Sequence, residues 1–418
     1  QMRGDGVRVD VTREAAPTLF YLTYQGLNDR DVLRDYGELF EAPPDQGPKP
    51  RSGRAGVDRK IHVGFLSSHF RNHTVGELMR GLIAHLCRDR FVVHVLTVGH
   101  YDDEVARFLR QHADFSIEVT TNLPAARRTI AELGLDVLFY ADIGMDPVTC
   151  TLALSRLAPV QCTTWGHPST SGLPTIDYFL SSELFETENA DGHYTEKLVR
   201  LRTIPAYCCR PEPVTLRAGP EDFGLPADCR LYACPQALFK IDPDFEDILG
   251  RLLRRDPRGI VTFHRSPGRN WHDLLGRRFA ARIPDVADRI RFLPRLDHAD
   301  YLRLNTAAAA LLDPTAFNGG NTSYKGLALG TPIVTLPGEL LRSRMTLAMY
   351  RKMGVMDCVA HSPEEYVEIA VHLAEDPAHR NAVRARILAA NDVLYEDREA
   401  VSELDRFLQE AVAAPSSE

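Results

Sequence analysis

The feature that most constrains the fold is a series of short, almost continuous apolar runs separated by amphipathic helical stretches such as GELMRGLIAHLCRD (76–89). Strands that are apolar on both sides and alternate with helices indicate a parallel sheet covered by helices. The first series consists of KIHVGFLS (60–67), FVVHVLTV (91–98), DVLFYADI (136–143), VQCTTW (160–165) and DYFLSS (177–182).

A second series follows a proline-rich interruption at 208–229. Its apolar runs are RLYACP (230–235), GIVTFH (259–264), RIRFLP (289–294), AAAALLDP (307–314) and TPIVTLP (331–337), and amphipathic helices follow at 363–374, 378–390 and 397–413. The pattern predicts an α/β protein with two doubly wound domains. Since open parallel sheets bind ligands beyond the carboxyl ends of their strands, we expect an interdomain cleft.

The domain division follows from these two series. Residues 1–57 contain a short apolar run and an amphipathic helix within 19–40, followed by a linker rich in Pro and Gly at 42–56. We predict an N-terminal Rossmann-like domain at 58–215, a second Rossmann-like domain at 216–390 and a C-terminal helix at 391–418.

Composition excludes several classes of protein. At about 150 residues per domain, the 418 residues correspond to two or three domains, and a net charge of −8 argues against dedicated nucleic-acid or membrane-surface binding. No stretch approaches the roughly 20 apolar residues of a membrane helix, and no signal pattern opens the chain. The eight cysteines form no CxxC pair, so we expect a reducing, cytoplasmic location. The start at Gln1 leaves room for a longer parent protein.

The segment LLDPTAFNGGNTSYKGLALGTPIVTLPG (311–338) is the most informative one. An apolar strand ends at Asp313-Pro314, and a loop with small residues leads into a helix that we expect to begin near Thr322. Backbone N–H groups at a helix N-terminus, together with the helix dipole, form a binding site for phosphate. The alternative is a tight strand–helix turn with a Thr or Asn cap.

A second segment, CPQALFKIDPDFEDILGRLL (234–253), places Gln236 and Lys240 between the strand that opens the second half and a helix near Pro243. A lysine in this position can neutralise a diphosphate leaving group. The alternative is a solvated lysine at the start of a helix. Lys240 and the 318–323 loop belong to the same half of the chain, which favours a shared phosphate site.

The loop after the first strand, in GFLSSHFRNHTVGELM (64–79), carries His69 and His73. A neutral imidazole at the carboxyl end of a strand could accept a proton or bind an anion, although loop histidines are often incidental. The two histidines are four residues apart but have no acidic or thiol partner at ligand spacing, so we do not expect a metal site. The segment WGHPSTSG (165–172), taken alone, is a polar loop with turn chemistry.

Taken together, these segments resemble the catalytic region of the O-linked N-acetylglucosamine transferase family, including its bacterial members. The resemblance covers roughly residues 19–413 and rests on APVQCTTWGHPSTSG, CPQALFKIDP, FNGGNTSYKGLALGTPIVTLPGELLRSR and GFLSSHFRNHTVGELM, which are spaced motifs in the order of the family. It implies that the first Rossmann-like domain (58–215) lies on the acceptor side and the second (216–390) on the nucleotide-sugar side. It implies a GT-B fold, inverting transfer from UDP-N-acetylglucosamine to Ser or Thr hydroxyls of a protein or peptide acceptor, and no cofactor or metal ion.

The resemblance also implies roles for individual residues on the donor side. Lys240 matches the lysine that contacts the donor diphosphate, and Tyr301 falls near the position whose ring stacks on the uracil. The loop that binds phosphates and ribose in the family is matched by Gly319, Gly320, Asn321, Thr322 and Ser323. On the sugar side, Gly166 and His167 match a loop next to the sugar, and His73 matches a histidine near the reaction centre.

Three departures from the family pattern stand out. Lys325 replaces an acidic residue that accepts hydrogen bonds from the ribose, which a lysine cannot do; it would bind phosphate instead or weaken donor binding. The glutamine beside the diphosphate lysine is matched by Gln236 or Ala237, depending on the alignment. The helical repeats of about 34 residues that select protein substrates in the family do not occur in this chain. Acceptor recognition is therefore lost, encoded elsewhere in a parent chain, or different.

Two other functions remain open on this evidence. The same fold could use another donor, such as GDP-fucose or UDP-glucose, because the pocket differs at Lys325. The chain could also be a non-catalytic module that binds a nucleotide-sugar or a protein partner.

Overall fold

The computed structural model describes residues 9–41, 55–212, 218–266 and 270–414. The predicted linker at 42–56 lies almost entirely outside these residues, as does the predicted domain boundary at 215–216. In chain order the strands are β1 (Ile61–Ser67), β2 (Phe91–Val98), β3 (Phe115–Val119), β4 (Val137–Tyr140), β5 (Val160–Thr164), β6 (Tyr178–Ser182), β7 (Lys197–Leu201), β8 (Arg230–Ala233), β9 (Gly259–His264), β10 (Ile290–Leu293), β11 (Ala310–Leu312) and β12 (Ile333–Val334).

Helices connect these strands and close both ends of the described chain. They are α1 (Arg30–Gly37), α2 (Thr74–His85), α3 (Glu104–His112), α4 (Leu123–Glu132), α5 (Pro147–Leu152), α6 (Pro243–Arg255), α7 (Trp271–Arg282), α8 (His298–Ala307), α9 (Asn321–Ala328), α10 (Met345–Met353), α11 (Pro363–Glu375), α12 (Pro377–Ala390) and α13 (Arg398–Ala413). Short 3-10 helices lie at Phe20–Gln25, Ala190–His193, Pro220–Phe223, Leu238–Lys240, Ala287–Arg289, Leu341–Ser343 and Asn391–Leu394.

The chain folds into two compact units. The first contains the described residues within 1–23, 27–209 and 396–418, and the second contains those within 24–26 and 210–395. The domain boundaries drawn from the sequence stay predictions, and the structure adds that α13 joins the first unit. No helix in the described residues is long and apolar enough to cross a membrane.

The first unit is built on a seven-stranded parallel sheet with the order β3-β2-β1-β4-β5-β6-β7. Strand β1, an interior strand of this sheet, is buried on both faces, with Phe65 in one apolar cluster and Leu66 in another. The Phe65 cluster includes residues of α2, α3 and α13, whereas the Leu66 cluster includes residues of α4 and the start of the chain. Each fully buried leucine or phenylalanine in these clusters contributes about 1.5–3 kcal/mol.

The second unit repeats the same topology with five parallel strands in the order β10-β9-β8-β11-β12. Helix α6 packs against α11, and α9 packs against α8 and α12. In the first unit the strands that follow β1 are added on one side of it, and those that follow β4 are added on the other side of the sheet. In the second unit β8 and β11 take the places of β1 and β4. Because crossovers between parallel strands are right-handed, the helices that follow these two strands lie on opposite faces, and a crevice opens between them at the carboxyl ends.

The α/β class and all strands predicted from apolar runs are confirmed, whereas β3 and β7 were not predicted. These two strands form the edges of the first sheet. Only Val119 is buried in β3, and only Leu198 and Leu201 are buried in β7, so neither strand forms a continuous buried apolar run. Within 19–40, the predicted apolar run lies in the 3-10 turn at Phe20–Gln25, and the amphipathic helix predicted after it is α1.

Candidate functional site

The crevice of the second unit lies where β8 and β11 end side by side. The chain leaves β8 through Gln236 and a 3-10 turn that ends at Lys240. Asp242 then caps α6, with its carboxylate accepting hydrogen bonds from the backbone N–H groups of Asp244 and Phe245 at 2.9 and 3.1 Å. The cap fixes the direction in which the chain enters α6 and so holds Lys240 at the carboxyl edge of the sheet.

Lys240 links the two strand ends directly. Its Nζ donates hydrogen bonds of 2.9 Å to Gln236 Oε1 and of 2.9 Å to the backbone oxygen of Asn318. The ammonium group also lies 4.4 Å from the centre of the Phe317 ring, within the range of a cation–π interaction. Lys240 and the loop after β11 are therefore in contact in the folded unit. That they share a phosphate site stays a prediction.

The charge of Lys240 depends on Asp313, a buried residue that directly follows β11. Burial lowers the pKa of Lys240 to about 8, and the negative charge of Asp313 opposes this shift. Burial likewise raises the pKa of the Asp313 carboxyl to about 6, although it accepts hydrogen bonds from the Gly319 N–H at 2.7 Å and the Thr335 hydroxyl at 3.0 Å. An anion that bound next to Lys240 would favour its charged form.

The loop at 318–323 is tightly packed against the Lys240 turn. Gln236 Nε2 donates a hydrogen bond of 2.7 Å to Thr322 Oγ1. A Cβ atom at Gly319 would lie 2.5 Å from Gln236 Nε2, Thr322 Oγ1 and Ser323 Oγ, so this position requires glycine. Helix α9 begins at Asn321 and has no side-chain cap at Gly320. Its first turn therefore presents backbone N–H groups in the manner of a phosphate site.

Two further predicted donor-side residues lie on α8 and α9, two helices that pack against each other. Tyr301 is on α8, half-buried, with its ring centre 6.1 Å from that of His264. Lys325 is also half-buried and lies one turn into α9, after the Gly319–Ser323 loop. Their roles in binding base and ribose stay predictions.

In the first unit, the structure gives His73 a clear local task. It is the N-cap of α2, and its Nδ1 accepts a hydrogen bond of 3.3 Å from the backbone N–H of Val75. Burial lowers the pKa of His73 to about 3, helped by the nearby His69 and Arg71. The ring is consequently neutral at physiological pH, and its role near a reaction centre stays a prediction.

Gly166 and His167 follow β5, the neighbour of β4. A Cβ atom at Gly166 would overlap the backbone oxygen of Ala141, so the loop can approach the end of β4 only with glycine here. His167 is buried, its Nε2 lies 3.1 Å from Thr23 Oγ1, and its ring stacks on Phe20 at 5.5 Å. These contacts hold the loop in place, and contact with a sugar stays a prediction for both residues.

Sequence reasoning left several residues of the second crevice unassigned. The ring of Phe317 makes the cation–π contact with the Lys240 ammonium group. Tyr24, from the start of the chain, stacks on Phe317 with ring centres 4.5 Å apart. Asp313 was noted only as the end of a strand. An acidic residue directly after a buried strand was an available signal for its role, whereas nothing in the sequence indicates the contact of Tyr24.

The second crevice can hold a diphosphate, because it combines a lysine, a hydroxyl group and an open helix N-terminus. No group of three or more His, Cys, Asp or Glu side chains that could hold a metal ion occurs in the residues that the structure describes.

Comparison with known proteins agrees with this geometry. The model of glycosyl transferase family 41 matches residues 48–205 and 210–404. The chain is 30% identical over 374 residues to a tomato (Solanum lycopersicum) protein named "Probable UDP-N-acetylglucosamine--peptide N-acetylglucosaminyltransferase SPINDLY", covering 84% of this chain and 38% of that protein. It is 25% identical over 346 residues to an Arabidopsis thaliana protein with the same enzyme name and the designation SEC, covering 81% of this chain and 35% of that protein.

Among solved structures, a mutant of the Thermobaculum terrenum O-GlcNAc transferase superposes with a TM-score of 0.81 at 24% identity, covering 94% of this chain and 76% of that one. This likeness confirms the predicted GT-B fold class. The chain spans little more than a third of the length of the two plant relatives. Because the family model matches most of its length, the chain belongs to glycosyl transferase family 41.

Proposed function

We propose that the protein is an inverting glycosyltransferase that moves N-acetylglucosamine from UDP-N-acetylglucosamine to Ser or Thr hydroxyls of protein or peptide acceptors. The observation that carries the proposal is the contact of Lys240 with the loop at 318–323, at the carboxyl edge of the second sheet. In this reaction, Lys240 and the N-terminus of α9 stabilise the negative charge that develops on the diphosphate as it leaves. The names of the plant relatives support this donor and a peptide acceptor.

The proposed reaction needs no metal ion, because protein groups supply the positive charge and the hydrogen-bond donors. Lys240 provides the charge, Thr322 provides a hydroxyl group, and the first turn of α9 provides backbone N–H groups. An ammonium group and oriented amides act on a leaving diphosphate through the same electrostatic stabilisation that a divalent cation would supply.

Lys325 favours a second candidate, in which the donor is UDP-glucose or GDP-fucose. A lysine donates hydrogen bonds but cannot accept them from ribose hydroxyls, so the nucleoside would be held differently from the family pattern. A non-catalytic module that binds a nucleotide-sugar is the third candidate. It would use the same crevice without transfer.

The proposed setting is the cytoplasm. All eight cysteines lie in the described residues and none forms a disulfide, which fits a reducing compartment. We propose no nucleic-acid or membrane partner, in line with the net charge of −8.

Calorimetric titration with UDP, GDP and UDP-N-acetylglucosamine, in the presence of a chelator, tests the donor. We expect the two uridine ligands to bind and GDP not to bind, and tighter binding of GDP would favour the second candidate. Incubation with each nucleotide-sugar and a Ser/Thr peptide library, read by mass spectrometry, then tests transfer. Binding of UDP without transfer or donor hydrolysis would identify the non-catalytic module, and absence of UDP binding would refute the proposal.

A further inference from the structure

The crevice of the first unit lies at the carboxyl ends of β1 and β4, the point where the strand order reverses. The chain leaves β1 through Ser67, Ser68 and His69, and it leaves β4 through Ala141 and Asp142. Although 73 residues separate His69 from Asp142, their side chains meet here. None of the roles assigned above uses this pair.

The His69–Asp142 pair has the geometry of an oriented imidazole. His69 Nδ1 lies 2.5 Å from Asp142 Oδ2, and the Asp142 side chain is completely buried. The Ser67 hydroxyl donates to the same carboxylate oxygen at 2.9 Å and accepts the backbone N–H of His69 at 2.7 Å. A buried carboxylate accepts a hydrogen bond from Nδ1–H, so the proton of the neutral ring resides on Nδ1 and the lone pair on Nε2.

The Nε2 edge of His69 is the part of the pair that a substrate can reach. The His69 side chain is 16% exposed, and its Nε2 has no hydrogen-bond partner within the described ranges. Two other titratable groups face this loop. The His73 ring lies 4.3 Å from the His69 ring, and the Arg71 guanidinium lies over the ring of Tyr101 at 5.1 Å.

His69 and His73 therefore differ in whether their surroundings suit a proton acceptor. His73 uses Nδ1 to accept the N–H of Val75 at the start of α2 and has no carboxylate partner among the contacts described. His69 has a buried carboxylate on one nitrogen and an accessible lone pair on the other. A protonated His69 would be stabilised by Asp142, which is the requirement for a base that must carry a proton temporarily.

We propose that His69 is the general base of the transfer reaction and that Asp142 is its positioning residue, an assignment that rests on the proposed function. His69 Nε2 takes the proton of the acceptor hydroxyl as the hydroxyl oxygen forms a bond to the anomeric carbon. The bond between that carbon and the diphosphate oxygen breaks, and its electron pair leaves with UDP. The imidazolium then returns its proton to solvent.

Three variants test the assignment with wild-type protein, UDP-N-acetylglucosamine and an acceptor peptide. His69→Gln should lower kcat about 100- to 10,000-fold, the usual contribution of a general base, and leave UDP affinity within twofold. Asp142→Asn removes the charge and keeps an oxygen that can accept from His69 and Ser67, while its NH2 group takes the place of Oδ1, which has no partner in the described residues. His100→Gln, in an exposed His–Glu pair of the same unit with a 2.9 Å contact, is the matched control and should transfer normally.

The pH profile distinguishes a positioning role of Asp142 from a merely structural one. In Asp142→Asn, kcat should fall and the low-pH limb of its profile should move to lower pH, because the protonated ring has lost its carboxylate. Full transfer by His69→Gln, or an unmoved limb in a stable Asp142→Asn protein, would overturn the assignment. The same holds if His73→Asn, which keeps a capping side chain, abolishes transfer while His69→Gln does not.

A second measurement separates this assignment from the proposed function. Nitrogen NMR of histidine-labelled protein reports the tautomer of His69 whether or not transfer occurs. We expect a neutral ring protonated on Nδ1 at pH 8, and a ring protonated on Nε2 would overturn the assignment. If wild-type protein binds UDP but transfers nothing, the proposed function fails, and so does the role of His69 as base, even where NMR finds the expected tautomer.

Discussion

Replacing Lys240 with methionine tests the donor site most directly. Methionine keeps an unbranched stem over the Phe317 ring but removes the ammonium group, which makes 2.9 Å contacts to Gln236 and Asn318. A hydrogen bond to a charged group contributes about 1.5–3 kcal/mol. Loss of one such bond to the diphosphate therefore lowers UDP affinity about 10- to 150-fold.

The pH dependence of binding gives this prediction a second readout. Burial lowers the pKa of Lys240 to about 8 in the free protein, and a bound diphosphate raises it again. Below pH 8 the lysine is charged before and after binding, so the affinity does not depend on its titration. Above pH 8 binding must take up a proton, and the Kd for UDP rises by up to about tenfold per pH unit. The Lys240→Met protein lacks this rise.

Titration calorimetry between pH 6.5 and 9.5, in buffers of different ionisation enthalpy, measures both the affinity and the proton uptake. Lys352→Met, on α10 of the same unit, is the matched control for loss of a lysine charge. An affinity for UDP within twofold of wild type in Lys240→Met, or the same rise above pH 8 in both proteins, would refute the reasoning.

Three further substitutions probe the same crevice. Gly319→Ala should lower the UDP affinity measured by titration at least tenfold, because its Cβ would lie 2.5 Å from three polar side-chain atoms. Gly192→Ala, where a Cβ would have nothing within 4 Å, is the control. The same UDP affinity in both variants would count against a tightly packed loop. Asp313→Asn should move the rise in Kd to lower pH, because Asp313 raises the pKa of Lys240; an unchanged profile would show that the two charges do not interact. Lys325→Glu should strengthen UDP binding if ribose needs an acceptor there, and weaker binding would indicate that Lys325 contacts phosphate.

Much of the fold follows from local patterns in the chain. Helices predicted at 363–374, 378–390 and 397–413 agree with α11, α12 and α13 to within one residue at each end. Their boundaries are marked by capping residues, such as Ser362 and Asp376, whose effect is local and therefore visible in sequence. Edge strands β3 and β7 were not predicted because most of their side chains are exposed or half-buried, so no continuous apolar run marks them in the sequence.

The candidate phosphate site of the second unit could also be predicted from the sequence. Lys240 and the 318–323 loop each follow an apolar run, and the rule that parallel strands end at the same edge of a sheet brings such segments together. Their chemical character, a lysine and a small-residue turn before a helix, was sufficient to indicate a phosphate site. The resemblance to a known family agreed with this reading.

The pairing of His69 with Asp142 depended on information of a different kind. Each residue alone is an ordinary loop residue, and metal binding was dismissed because no acidic side chain lies near His69 in sequence. The strand order places β1 beside β4, so a carboxylate 73 residues away becomes the closest partner of the imidazole. Periodicity and capping identify elements because they act within a few residues. The neighbours of a catalytic side chain are set by how whole strands are ordered in the sheet, and that order results from packing across the entire unit.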